Sequence, residues 1–539
     1  MNQNPSGNFL DPKTLTAILF LGLAWVGWQA YMQKKYPDHF SRSAEPKVEA
    51  SQTEAPTETA PIGTNSSDTP SGVAQKNDEV ADVVAVSEKV FTYFDENMSF
   101  ELSSKGMGLK QVVLNKYTDR NGEKYTVRKV GQVLPLETNV IGSMQKLDFA
   151  VEQVGTNRFV GVAQYDNLQI TKVIEVQSEQ YVFNTEISVT GESDRFLGLQ
   201  TTIVEDIKNF EQSILMPTFE RQEFFAVDDG SSERVLLTKD EKVKQSFTQV
   251  SVASLGTQYF SQSLVDNSTI IPEFRVETSE TIAIGTLLYN SIDKKSQFKI
   301  SYQAFVGPKY LEILENIDSQ LAGLIDFGIF SWLAKPMLQL MKWFHTMAGN
   351  WGIAIILLTL LVRVVVLPFT IMSYKSLNKM KIIQPQIKTL KEKYKDDTQK
   401  LNQEMMLLMK THQVNPLGGC LPMLLQFPVF IALYQVLGQS IELYQAPFYF
   451  WIEDLSLKDP YYVLPVLMAI TMFVQQKITP TTMDPAQAKV MLFLPLVFAL
   501  FMVTLPSGLT LYIFVSALFA IIQQLFFMRD TTNQAVTTA

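Results

Sequence analysis

A single cysteine, Cys420, in 539 residues excludes a disulfide framework, a thiolate zinc site and an iron–sulfur cluster. Histidine is nearly as scarce: His39, His345 and His412 lie in unrelated segments and lack the H-E-x-x-H spacing of a zinc hydrolase. Neither a Walker A sequence nor a G-x-G-x-x-G run occurs, so no nucleotide cofactor is written in the chain, and no metal or other cofactor is expected. Charge is sparse too. Charged residues make up 18% against about 25% in typical soluble domains, while hydrophobic residues make up 46%. A mean hydropathy of +0.06 is then an average over one polar part and one oily part. The net charge of -9 is modest and gives no footprint for nucleic-acid binding.

What is present changes character along the chain. Leu15 to Met32 is apolar, long enough to span about 27 Å at ~1.5 Å per residue, and no A-x-A site follows it. It reads as an uncleaved signal anchor. Ser41 to Val80 has no aromatic residue and is rich in Ser, Thr, Pro, Ala and Glu, so it reads as a tether that cannot offset its own ordering entropy. From Val84 to Tyr310 the pattern has period two. Tyr181, Phe183, Thr185, Ile187 and Val189 alternate with Val182, Asn184, Glu186 and Ser188, and Phe298, Ile300 and Tyr302 repeat the alternation. With turn signals at Asn121-Gly122, Gly191 and Asp229-Gly230, this predicts a large antiparallel β-sandwich without a catalytic constellation. Scaffolding or partner binding is its plain reading; a sugar or ligand site is the alternative.

The apolar stretch around LAGLIDFGIFSWLAKPM, interrupted by Asp326, Lys335 and Pro336, suits a helix lying in the membrane interface. Five more apolar segments follow: Trp351 to Met372, Leu417 to Leu437, Tyr461 to Val474, Val490 to Thr504 and Gly508 to Met528. The expected fold is therefore a polytopic α-helical membrane protein of six spans with a large extracytoplasmic antiparallel β-sandwich. Its expected organisation is an anchor over 1–33, a linker over 34–83, the β domain over 84–316 and an interfacial segment over 317–348. Spans follow over 349–372, 417–438, 461–478, 490–505 and 508–528, with connections over 373–416, 439–460 and 479–489 and a tail over 529–539. The 373–416 loop carries nine lysines against four acids, whereas Gly438 to Pro460 carries four acids against Lys458. Positive-inside bias places the lysine-rich loop and both termini in the cytoplasm and the β domain outside.

Within the lysine-rich loop, Met380, Ile383, Ile387, Leu390 and Tyr394 recur at helical spacing, then Leu401, Met405 and Leu408 after Lys395-Asp396-Asp397-Thr398. This predicts a helical hairpin whose second helix is capped by an aspartate or Thr398. Its basic face suits either anionic lipid or a docking partner.

Arg363 sits about nine residues, or roughly 13 Å, from the end of its span, too deep to snorkel. Burial of such an arginine costs from about 3 to about 17 kcal/mol depending on the reference, so a functional role is expected. None of the six apolar segments contains Asp or Glu, so an ion pair within the membrane is not available. Water, lipid phosphate or polar neighbours remain, which implies a hydrated groove. Thr359, Arg363 and Thr370 share a helix face, as do Tyr512, Ser516 and Gln523, while Gln426, Thr471 and Gln475 supply polar groups from two other spans. Polar glue between packed helices is the alternative for the Gln and Thr residues. The spans of 14 and 15 residues at Tyr461 to Val474 and Val490 to Thr504 are short against about 30 Å of hydrocarbon and favour a thinned bilayer.

The strings GNWGIAIILLTLLVRVVVLPFT, KMKIIQPQIKTLKEKYKDD, NPLGGCLPMLLQFPVFIALYQVL, APFYFWIEDLSLKDPYYVLP and LPSGLTLYIFVSALFAIIQQ resemble the YidC family of membrane-protein insertases over roughly residues 305 to 528. The upstream region resembles that of Gram-negative members, with a supersandwich-type periplasmic domain. The resemblance implies insertion and folding of inner-membrane proteins, alone or with the Sec translocon, without ATP hydrolysis. It implies a five-helix core around a hydrophilic groove with Arg363 inside and Thr359, Gln426 and Tyr512 on its lining. It implies a greasy slide for the incoming helix near Leu424, Pro428, Phe430, Leu494 and Met502. Nascent membrane proteins, Sec components and membrane lipids are the implied partners, with the ribosome or targeting factors as candidates for the hairpin. The tail DTTNQAVTTA lacks a basic extension, so ribosome docking through it is not expected, and no lipobox cysteine is present at the amino terminus.

A secondary transporter with a periplasmic β domain is the main rival, but it wants a titratable intramembrane acid and an inverted repeat, and neither is found. An intramembrane protease is the enzyme rival; Ser507, in a Pro-Ser-Gly turn, has no histidine base in the apolar segments. A non-enzymatic insertase is the expectation.

Overall fold

Among the described residues, period-two segments separated by turn residues build three antiparallel sheets. A computed structural model describes residues 88–128, 131–208, 210, 220–239, 242–291, 298–395, 397–412, 421–479 and 485–537. The expected anchor and linker lie outside the described residues. A four-stranded sheet takes Val90–Phe94, Met98–Ser103, Leu109–Thr118 and Lys124–Thr126 in chain order. A five-stranded sheet runs Lys244–Phe247, Glu273–Thr278, Ile282–Asn290, Gly198–Asp206 and Thr138–Val140. The nine-stranded sheet runs Ser231–Leu237, Gln222–Asp228, Val250–Thr257, Phe260–Asp266, Phe298–Pro308, Val182–Thr190, Leu168–Gln177, Arg158–Tyr165 and Ala150–Gln153.

The alternation sets which face is buried. Phe183, Thr185, Ile187 and Val189 point into the core, while Asn184 and Ser188 are half-buried and Glu186 is exposed. Tyr181 is buried but precedes the strand in a left-handed conformation, and Val182 is buried as well, so the alternation breaks at the strand's first residue. Asp229-Gly230, both at positive φ, close the two-residue hairpin between Asp228 and Ser231. The five- and nine-stranded sheets pack through Phe224 on Phe274, ring centroids 6.1 Å apart, and through the Gln262 amide donating to the Val204 carbonyl at 2.7 Å.

Lys172, fully buried on the nine-stranded sheet, ties separate segments together. Its Nζ donates to the carbonyls of Leu136 at 2.6 Å, Met107 at 3.1 Å and Gly106 at 3.2 Å. Burial pulls its pKa down from 10.5 to about 7, against an opposing pull from Glu137. Between those values the unfolded chain binds a proton that the folded chain does not, so this group makes stability rise with pH across that window. Denaturant midpoints of the full chain at about pH 7 and about pH 9.5 should therefore differ less in Lys172→Met than in the unsubstituted protein. An identical pH response in the two would contradict this account.

Eight helices are described after the last strand: α1 (Leu311–Ile317), α2 (Ser331–Ala348), α3 (Trp351–Lys393), α4 (Thr398–Thr411), α5 (Leu421–Gln439), α6 (Val463–Ile478), α7 (Pro485–Met502) and α8 (Ser507–Thr537). α2 buries Ala334, Met337, Leu338 and Met341 and exposes Trp332, Trp343 and Met347 on another side. α3 is continuous for 43 residues, so the expected span and the first arm of the expected hairpin are one helix despite Pro368 and Pro385. Asn350 caps its start, the side chain accepting from the Ile353 amide. Asp397 caps α4, accepting from the Lys400 amide at 2.9 Å. The two arms meet through Ile383 and Ile387, with Met380, Met405, Leu408 and Met409 against them.

Among the described helices, α3 and Ser507–Phe527 of α8 are long and apolar enough to cross a membrane, and Leu424–Gln439 and Val463–Ile478 are apolar but shorter. α6 and α7 have 16 and 18 residues, longer than the expected 14 and 15 because polar residues such as Gln475 and Lys477 continue α6 and Pro485 to Lys489 begin α7. The segment after Arg529, expected as a tail, continues α8 to Thr537.

The connection between α5 and α6 joins the β domain to the helices. Tyr444 Oη donates to the Thr118 carbonyl at 2.9 Å, and Gln445 donates to the carbonyls of Thr118 and Asp119. On its other side the Ser507 amide donates to Leu457 at 2.6 Å, and buried Asp459 accepts from Trp451 Nε1 and the amides of Tyr461 and Leu464. The Ser507 hydroxyl donates to the Asp454 carbonyl at 3.0 Å, which leaves it in a structural bond rather than beside a base.

Candidate functional site

Arg363 and Ser516 meet because α3 and α8 pack side by side in the same direction. Tyr374, eleven residues beyond Arg363, donates to the Ala520 carbonyl at 3.3 Å and stacks on Phe527 with ring centroids 6.2 Å apart. Arg363 Nε donates to Ser516 Oγ at 2.9 Å, and Nη2 donates to the same hydroxyl. One turn earlier on α8, the Tyr512 hydroxyl accepts from Gln426 Nε2 of α5. Arg363, Ser516, Tyr512 and Gln426 thus form one polar row across three helices. Ser516 and Tyr512 are buried, while Arg363 and Gln426 are half-buried.

The charge balance of this row is unusual. A guanidinium carries five N–H donors. Two go to Ser516, and among the described residues Arg363 makes no other hydrogen bond and no ion pair. The remaining donors, on a half-buried side chain, are available to water or to another acceptor.

Other polar residues chosen from the sequence are placed differently. Thr359 and Thr370 are buried, and their hydroxyls donate to the carbonyls of Ile355 at 2.6 Å and Val366 at 3.1 Å within their own helix. Thr471 does the same toward Leu467. These hydroxyls are spent locally rather than turned toward Arg363. Gln523 is buried two turns beyond Ser516, and neither amide atom has a hydrogen-bond partner among the described residues. Its neighbour Gln524, which the sequence pattern does not single out, pairs with Thr479 at 3.2 Å.

The apolar residues expected to touch an incoming helix divide. Leu424 is 65% exposed on α5, with Phe427 exposed beside it and Pro428 and Phe430 half-buried. The Leu494 side chain lies outside the described residues. Met502 is 0% exposed and cannot be a contact residue on this surface. It shares the buried face of α7 with Pro495 and Ala499, at offsets of four and three, while Phe493, Leu496, Val497 and Leu500 form the exposed face. Every one of these side chains is apolar, so no polarity contrast in the sequence distinguishes the two faces. Among the described residues no group of three or more His, Cys, Asp or Glu could hold a metal ion.

Comparisons with known proteins identify the relatives of this chain. The family described as "60Kd inner membrane protein" matches residues 343–534, and the "YidC periplasmic domain" matches residues 95–340. A protein of Geotalea daltonii named "Membrane protein insertase YidC" is 36% identical over 447 residues, spanning 78% of this chain and 83% of its own. One of the same name from Geotalea uraniireducens is 34% identical over 499 residues, spanning 87% and 91%. A solved structure of an active YidC insertase with its first transmembrane domain is 20% identical, covers 82% of this chain and 92% of its own, and has a TM-score of 0.37.

Proposed function

The chain belongs to the YidC family of membrane-protein insertases, and from that premise we propose that it inserts and folds membrane proteins at the bacterial inner membrane, alone or with the Sec translocon. In this reading α3, α5, α6, α7 and α8 form the insertase core, the amino-terminal anchor adds the sixth span, and the β domain stands in the periplasm. The lysine-rich hairpin of α3 and α4 is cytoplasmic and meets nascent chains first.

The observation that carries the reading is Arg363, half-buried, held only by a serine and without an ion pair among the described residues. Such a group is tolerable in a membrane only beside water, so a groove wetted from the cytoplasm supplies its environment. Its free donors attract the polar or acidic flank of a substrate. The substrate's apolar segment then leaves water along the exposed faces of α5 and α7. That transfer contributes about 25 cal/mol for each Å² of apolar surface removed from water, so no nucleotide hydrolysis is needed. Helices of 16 and 18 residues, about 24 and 27 Å long, favour a locally thinned bilayer that shortens the polar flank's path.

Proteoliposomes carrying the purified full chain should insert a small single-span substrate in the absence of ATP, as read by protease protection of its translocated flank. Equal protection in protein-free liposomes would sink the reading.

A further inference from the structure

At the elbow between α2 and α3, a cavity of about 340 Å³ opens against the α5–α6 connection. Its walls include His345 and Trp351, whose rings lie flat on each other with centroids 3.9 Å apart, together with Tyr444, Glu442, Asn350 and Pro447. Asn350 donates to the Pro447 carbonyl at 3.1 Å, which fixes the two sides of the cavity relative to each other.

The electrostatics of this cavity favour a cation. Among the described residues no lysine or arginine lines it. The Glu442 side chain is only 6% exposed and pairs with Lys342 at 2.7 Å, but Lys342 also serves Glu312 at 3.0 Å. Two carboxylates therefore share one ammonium, leaving a net negative charge beside the cavity. The C-terminal end of α2 at Ala348 adds the negative pole of an 18-residue helix. Burial lowers the His345 pKa below its usual value, so its ring is neutral near pH 7 and adds no repelling charge. Aromatic faces attract ammonium groups through their quadrupoles. A metal ion is a poor fit, because a single carboxylate does not supply its coordination shell.

The surroundings identify where that cation comes from. α2 exposes Trp332, Trp343 and Met347, and the α5–α6 connection exposes Tyr449, Phe450, Tyr461 and Tyr462. Tryptophan and tyrosine concentrate at the level of lipid headgroups. The cavity lies between these two aromatic groups in the chain, next to the start of the long apolar helix α3.

We propose that this cavity binds the ammonium of an ethanolamine phospholipid from the periplasmic leaflet, held by Glu442 and the faces of Trp351 and Tyr444. The assignment rests on the membrane placement given under the function above. A lipid of this kind would fix the elbow of α2 and α3 at the headgroup level, and with it the depth of Arg363 on the same helix.

Native mass spectrometry of the delipidated full chain, offered equal amounts of phosphatidylethanolamine and phosphatidylglycerol, tests it. The expected result is about fivefold preferential retention of the ethanolamine lipid. Glu442→Gln should abolish the preference. Trp351→Leu, which keeps the Glu442–Lys342 pair, should lower it even if Glu442→Gln fails to fold. Phe450→Ala, on the aromatic belt outside the cavity, should leave it unchanged. Equal retention of both lipids, or a preference untouched in both cavity variants, overturns the proposal. Displacement of bound lipid by soluble phosphorylethanolamine at matching concentration overturns the lipid assignment. Insertion measured on the same preparations separates the two ideas: intact insertion without lipid preference refutes the cavity alone, whereas absent insertion in the unsubstituted protein refutes the functional reading.

Discussion

Replacing Arg363 with alanine is expected to slow insertion of substrates with acidic or polar translocated flanks by about tenfold, the scale of one hydrogen bond to a charged group. Arg363→Lys should retain most of the activity, because a positive charge at that depth matters more than the guanidinium fork. Arg363→Glu should be worse than alanine for an acidic flank, since attraction becomes repulsion. A substrate with a short uncharged flank should be nearly indifferent to all three substitutions, since it has little for the groove to solvate. The prediction is read by protease protection in proteoliposomes, with thermal stability in detergent measured alongside. Stability matters as a control because Arg363 also donates twice to Ser516 and so joins α3 to α8. Ser516→Ala removes that bond and keeps the charge. If the arginine acts through its charge, Ser516→Ala should insert acidic-flank substrates far better than Arg363→Ala does. Equal insertion by the parent, the alanine and the lysine variants would contradict the role given to this residue.

Much of this arrangement is legible in the sequence, for identifiable reasons. The absence of Asp and Glu from the apolar segments already isolates Arg363, because a missing counter-ion can be read without knowing the fold. Period-two patterning locates the strand from Val182 to Thr190, and Asp229-Gly230 marks the separate hairpin of Gln222–Asp228 with Ser231–Leu237, because few residue pairs accept positive φ twice. Helical spacing picks out Met380, Ile383, Ile387, Met405 and Leu408, five of the residues that join α3 to α4. Pairings across long sequence separations are not legible. Nothing local says that Gln426 donates to Tyr512, 86 residues away, or that Ser516 rather than Thr359 receives Arg363. Thr359 and Thr370 share the arginine's helix face on a wheel, yet each hydroxyl bonds to the carbonyl four residues earlier. Helix ends are blurred for a related reason. The apolar pattern of α3 stops near Met372, but the backbone hydrogen bonds continue through polar residues to Lys393.

The faces of α7 show the same limit and lead to the sharpest test. A photo-reactive residue at Leu500 or Leu496 should capture a stalled nascent membrane protein, and one at Leu424 on α5 should do so as well, because all three are exposed apolar positions. A probe at Met502, only two residues beyond Leu500, should give little product, since a two-residue step rotates about 200° around a helix. Phe183, in the β-domain core, should also give little. The contrast between Leu500 and Met502 separates contact through a defined helix face from general proximity to substrate, which would label both. It also separates contact with substrate from contact with lipid, because a lipid-facing residue labels a nascent chain only where that chain passes. Leu518 and Ile522, exposed on α8, provide that comparison and should crosslink weakly if the chain leaves between α5 and α7. Strong capture at Met502 together with weak capture at Leu500 would show that α7 presents its other face during insertion, and the route assigned to the exposed faces of α5 and α7 would fail.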